Sequence, residues 1–164
     1  MAETLHNFAA AVDNLISINR DAEQGFRAAA DAVADPALKQ MFVDLSGQRA
    51  GFAAELQDAV RKLGFEPSNP LGAAGTLHGV WIALKAAVMA NKAHAALEEA
   101  ERGEDQSLKT YRDALGMILQ SDLRTVVEKQ LAAIEEAHAR IRTLRNQTAP
   151  PPATPPPVTP AGRT

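Results

Sequence analysis

Charged and polar side chains interrupt the apolar stripes of several predicted helices. Glu23 lies one heptad after Ile16 and one before Ala30, where a leucine would be expected. Glu101 and Glu104 lie on the apolar stripe of the predicted helix at 93–116. His138 lies on that of the predicted helix at 121–145, with Glu135 one turn before it. Carboxylate oxygens and neutral imidazole are ligands that suit iron, manganese or zinc. These residues are therefore the candidate metal ligands: Glu23, Glu101, Glu104, Glu135 and His138.

The candidate ligand set is incomplete for a di-metal centre. Ferritin-like di-metal sites use single glutamates from two helices and a Glu-x-x-His pair from each of the other two. Residues 135–138 supply one such pair, but the matching stretch at 48–52 reads QRAGF and has neither glutamate nor histidine. The pattern does not predict a full ferroxidase centre. A mononuclear site or a weak asymmetric pair stays chemically possible.

The same residues have a purely structural interpretation. An uncompensated carboxylate inside an apolar bundle costs several kcal/mol, so it must be paired, protonated or bound to a cation. Arg49 lies in the same zone and could neutralise Glu23 or Glu101 directly. A buried ion-pair network of this kind would fix helix register. At the edge of its stripe, Glu135 either joins this network or faces water.

The elements that must position these side chains are helices. Apolar residues recur at three- and four-residue spacing, and Asp35-Pro36 combines an N-cap residue with a proline suited to the first helical position. Gly64 suits the left-handed end of a helix. The predicted helices span about residues 4–34, 36–63, 76–89, 93–116 and 121–145.

The order of these helices predicts the architecture. Two short hairpins flank a long connection at 65–92 that contains the third helix, and this connectivity is typical of ferritin-like bundles. We therefore expect an all-α, antiparallel four-helix bundle with a helical crossover segment over residues 1–147. Seven of the ten prolines lie between Pro150 and Pro160, so residues 148–164 are expected to form a disordered proline-rich tail.

Composition narrows the class of protein. The chain has no cysteine, which excludes disulfides, thiolate metal sites and cysteine nucleophiles. The net charge is −3 and the chain has no run of lysine or arginine, so the sequence predicts no basic surface for binding nucleic acid or anionic lipid. The first residues lack the order of a signal peptide, and the longest apolar stretch is too short to cross a bilayer. A cytoplasmic protein without membrane or nucleic-acid partners is the expectation.

Five separated segments carry a family resemblance: INRDAEQGF at 18–26, QRAGFAAEL at 48–56, GTLHGVW at 75–81, ERGED at 101–105 and AHARI at 137–141. They resemble one bacterial ferritin-like family, catalogued as domain of unknown function 2383. The resemblance covers about residues 5–145 and implies a four-helix bundle of the ferritin-like superfamily. The family has no established reaction. Its relatives in the superfamily include iron-storage and di-iron oxidase proteins, which makes a stress-associated role a hypothesis by analogy.

Two functional hypotheses follow. The first, which we prefer, is a non-enzymatic structural or stress-response module that forms a homo-oligomer and uses its polar belt as an ion-pair network. The second is an iron- or manganese-binding protein with redox or detoxifying activity, in which the five candidate ligands hold the metal.

Overall fold

The chain was studied as a computed structural model, which describes residues 2–67, 75–90, 92–118 and 121–149. Within these ranges the secondary structure is entirely α-helical, in five helices. They are α1 (Ala2–Ala32), α2 (Pro36–Lys62), α3 (Gly75–Met89), α4 (Ala93–Leu115) and α5 (Ser121–Gln147). All five predicted helices are confirmed, and their ends agree with the predicted ones to within two residues. The part of the predicted tail from residue 150 onward lies outside the described residues.

The first hairpin is formed by the residues that the sequence indicated. The Asp35 carboxylate accepts hydrogen bonds from the backbone N–H groups of Ala37 and Leu38, at 2.8 and 3.0 Å. These bonds cap α2, whose first residue is Pro36. At the other end of α2, Gly64 has a φ of 81°, a conformation that favours glycine.

The contacts between helices define how they pack. Each of α1 and α5 packs against both α2 and α4, whereas the described residues of α3 pack against α1 and α4 alone. In the polar contacts of α1 with α2 and of α4 with α5, the residue number falls in one helix as it rises in the other. Both hairpins are therefore antiparallel. Within the described ranges, no helix combines the length and apolar character that crossing a membrane requires.

The core consists of two apolar clusters separated by a layer of polar side chains. One cluster surrounds Phe26, Phe42 and Leu97, and the other surrounds Leu15 and Leu56. Among the described residues, Ser17 is buried within the second cluster. The other buried polar residues lie on all four long helices, in or next to the interval between the clusters: Asn19, Ser46, Arg49, Glu101, Glu104, Ser107, Gln130 and His138. We call this set the polar layer. The polar positions of the two hairpins therefore meet at one height.

Candidate functional site

A buried ion pair joins α2 to α4 in the polar layer. Arg49 donates from Nη2 to the Oε2 atom of Glu104, and both side chains are 0% exposed. The Arg49 guanidinium also lies over the ring of Phe52, 5.8 Å from its centroid. Within the described residues, Nε and Nη1 of Arg49 and Oε1 of Glu104 are buried without a hydrogen-bond partner. The centre of the protein is thus filled by a charge pair that is only partly satisfied.

Burial controls the protonation of this pair. Removal from water raises the pKa of Glu104 above its usual value of 4.5, and this effect exceeds the lowering by the nearby Arg49 guanidinium. The folded protein therefore holds a proton on Glu104 at pH values where the unfolded chain has released it. Since the native state binds more protons in that window, stability contributed by this group falls as pH rises from about 4.5 through the folded pKa.

Replacing Glu104 with glutamine is expected to remove this pH dependence. As pH rises from about 4.5, the free energy of unfolding of the wild type should fall relative to that of Glu104→Gln. Urea unfolding of both proteins across the acid-to-neutral range measures the difference. The matched control is Glu135→Gln, because Glu135 is half exposed on the neighbouring helix. The opposite trend, with the wild type gaining relative stability as pH rises, would mean that Glu104 ionises more easily in the folded protein.

Glu101 and His138 are brought together at the interface of α4 and α5. His138 Nε2 lies 2.7 Å from Oδ1 of Asp105 and 3.8 Å from Oε1 of Glu101. The Glu101 carboxylate also contacts two guanidinium groups, those of Arg142 at 3.0 Å and Arg145 at 2.8 Å. Glu101 and His138 are buried, whereas Asp105 and Arg142 are exposed. This cluster therefore connects the polar layer to the surface, with arginine as the main partner of Glu101.

The two remaining candidates are paired with arginines away from this cluster. Glu23 lies between Arg20 and Arg27 of its own helix, each 3.1 Å from one of its oxygens. Its backbone carbonyl accepts a hydrogen bond from Ser46, which confirms that Glu23 is level with this part of α2. Glu135 is 50% exposed and lies 2.9 Å from Arg112. Glu23 thus borders the polar layer, and Glu135 lies at the surface.

A second buried network connects all four long helices. Asn19 donates from Nδ2 to the hydroxyl of Tyr111 at 2.6 Å, and that hydroxyl donates to Gln130 at 2.7 Å. Gln130 in turn donates to Glu55 at 2.8 Å and to the carbonyl of Phe52 at 3.3 Å. Burial raises the pKa of Tyr111 above its usual range, so the hydroxyl keeps the proton that it donates.

The arrangement is better suited to neutralising carboxylates than to binding a cation. Glu23, Glu101, Glu104 and Glu135 each contact at least one guanidinium. A metal ion at any of them would lie beside a fixed positive charge, which opposes its binding. Among the described residues, no group of three or more histidine, aspartate or glutamate side chains has the arrangement to hold a metal ion.

Several partners in these networks were not identified from the sequence. Asp105, Arg142 and Arg145 provide most of the contacts of Glu101 and His138. Arg142 and Arg145 follow His138 by four and seven residues, so their position on one helical face was a usable signal. Gln130 likewise stands on the apolar stripe of α5, between Val127 and Ile134. Its polar character at a stripe position was the signal for the second network.

Comparison with known proteins identifies the family. The model of the family described as "Domain of unknown function (DUF2383)" matches residues 7–117, from within α1 to the end of α4. The chain belongs to this family, which confirms the family resemblance over these residues, while the segment at 137–141 lies outside the match. A comparison with curated proteins gives no match.

Proposed function

We propose that this member of the DUF2383 family is a non-enzymatic, self-associating helical module with a ferritin-like four-helix layout. In this proposal α1, α2, α4 and α5 are the four helices of the bundle, and α3 is the helical crossover. The polar layer serves to hold the helices in register, a role attested for buried polar groups in helical assemblies. A cytoplasmic location and a stress-associated role belong to the same proposal.

The observation that carries this proposal is the pairing of Arg49 with Glu104. A guanidinium occupies the centre of the protein, where a ferritin-like metal site would need a carboxylate or imidazole from α2. Glu101, the other buried carboxylate of α4, faces Arg142 and Arg145 from α5. Buried pairs of this type link specific positions on two helices, and a shift by one helical turn would leave the charges unpaired.

The competing proposal is a protein that binds iron or manganese and has redox or detoxifying activity. The group that favours it most is Glu101, Asp105 and His138, because one imidazole nitrogen lies near two carboxylates. Metal binding there would have to displace Arg142 and Arg145 from Glu101. We therefore place it second.

Elemental analysis separates the two proposals. Protein purified without a histidine tag, from cells given iron and manganese, is expected to contain much less than one metal per chain. The residual metal should be the same in Glu101→Gln and His138→Ala as in the control Glu128→Gln, which changes an exposed carboxylate of α5. One metal per chain in the wild type and the control, lost in both other variants, would establish the competing proposal.

A further inference from the structure

The outward face of α3 is exposed and mostly apolar, with the exposed Lys85 at its edge. Ile82 is 56% exposed and Met89 is 68% exposed, and their seven-residue spacing places them on one helical face, with Ala86 between them. The opposite face carries Leu84 and Val88, which are buried in the core. A helix that is apolar on both faces is normally covered on both. The outward face of α3, defined by Ile82, Ala86 and Met89, thus has the character of an interface.

An open groove lies on the other side of the protein, between α2 and α5. Its volume is 840 Å³, and its apolar lining includes Phe52, Leu63, Leu123 and Val126. The groove wall formed by α2 also contains Gly47 and Gly51, and a Cβ atom at either glycine would meet nothing within 4 Å. Glycines four residues apart form a smooth surface that allows another helix to approach closely.

The two surfaces match in charge. The groove is bordered by three carboxylates, Glu55, Asp58 and Asp122, and by Lys62, and Arg61 lies 3.5 Å from Asp58. Between Glu66 and Glu98 the chain has no acidic residue, and its only charged residues are Lys85 on α3 and Lys92 just after it. The helix α3 therefore carries one positive charge and no negative one, whereas carboxylates outnumber cations around the groove. Such complementarity favours association of one surface with the other.

The two surfaces also match in length. With a rise of 1.5 Å per residue, the fifteen residues of α3 extend over about 22 Å. The part of α2 that lines the groove, residues 47–62, extends over about 24 Å by the same rule. In the part of the chain that the structure describes, α3 packs against neither α2 nor α5, so it does not occupy its own groove.

We propose that the outward face of α3 of one copy docks into the α2–α5 groove of a second copy. This inference rests on the self-association in the proposed function and names the surfaces that achieve it. Because the two surfaces differ and lie on different sides of the chain, the contact is heterologous. Repetition of a heterologous contact gives a closed ring or an open chain of subunits.

Complementation between two variants tests this inference. The α3 variant is Ile82→Lys with Met89→Lys, and the groove variant is Gly51→Leu, which fills the space left by the glycine. In sedimentation velocity each variant alone should associate at least about thirtyfold more weakly than the wild type, the effect of losing a hot-spot contact. An equal mixture should instead form a dimer with one copy of each variant and grow no further, because it contains one intact α3 face and one intact groove.

Controls separate loss of docking from loss of folding. Both variants change exposed positions and should keep the helical circular dichroism of the wild type. The Tm of the α3 variant should equal that of the wild type, and the Tm of Gly51→Leu should be higher because glycine weakens a helix. The control Ala139→Lys adds a charge to an exposed position of α5 and should associate like the wild type.

Four outcomes would overturn the inference. A mixture that stays monomeric would show that the two surfaces do not meet. If either variant associates like the wild type, its surface is not part of the contact. If removal of residues 150–164 abolishes association, the tail is the occupant of the groove. A wild type that is monomeric at every concentration would refute the self-association in the proposed function as well, whereas the other three outcomes leave that proposal standing.

Discussion

Replacing Arg49 with methionine is expected to lower the free energy of unfolding by about 3 to 5 kcal/mol at neutral pH. The methionine fills a similar volume, but it leaves the fully buried Glu104 without its cationic partner. Because Arg49 lowers the pKa of Glu104, its removal raises that pKa further. The carboxyl group can then escape part of the penalty by taking up a proton, so the loss of stability should be smaller in acid. Urea unfolding followed by circular dichroism measures both effects.

The second half of this experiment replaces both members of the pair. Arg49→Met combined with Glu104→Met should recover most of the lost stability, since an apolar pair of similar volume does not require desolvation of two charges. The surface pair of Arg112 and Glu135 is the control, and Arg112→Met should cost about 0 to 1 kcal/mol. A cost for Arg49→Met no larger than that of the control would show that Arg49 does not stabilise a buried charge.

The double variant also tests what the ion pair contributes besides stability. If the pair sets the register of α2 against α4, the apolar replacement should fold with less defined packing, visible as broader NMR resonances from the core. If the amide spectrum stays as well dispersed as that of the wild type, the pair is not needed for a unique structure. The register role in the proposed function would then be wrong, even though the helical architecture would stand.

The helices could be predicted closely because their ends depend on local chemistry. Asp35 caps α2 through its own carboxylate, and Gly64 adopts the positive φ that ends the helix. Neither feature depends on distant parts of the chain. Glu23 and Arg49 were expected in one zone, and the hydrogen bond of Ser46, less than one turn before Arg49, to the Glu23 carbonyl agrees with this.

The partners of the buried charges could not be predicted in the same way. Arg49 was expected to neutralise Glu23 or Glu101, but it contacts Glu104. Glu101 and Glu104 both lie on the inward side of α4, so which carboxylate faces Arg49 depends on helix rotation and on the offset between the two hairpins. That offset is set by the connection at 65–92, whose length does not determine it. The long connection therefore limits what residue counting can establish about the site.

The second large effect is expected for Tyr111→Phe, which should lower the free energy of unfolding by about 2 to 4 kcal/mol. The variant keeps the aromatic ring in the core and removes only the hydroxyl. One N–H of Asn19 then loses its acceptor, and the carbonyl oxygen of Gln130 loses its donor, both in the buried centre. Chemical unfolding measures the loss. The control is Thr110→Val on the same helix, whose partly exposed hydroxyl bonds only to the preceding turn and should matter much less.

A double-mutant cycle then locates the origin of that cost. Gln130→Leu removes the acceptor that Tyr111→Phe leaves unpaired, so the double variant should be more stable than the sum of the two single effects predicts. Strict additivity would mean that the two side chains do not interact. The chain of hydrogen bonds runs from α1 through α4 and α5 to α2, so its weakening is expected to loosen all four helices together. Faster amide hydrogen exchange in α2 of Tyr111→Phe, which is linked to the missing hydroxyl only through Gln130, would be the direct evidence.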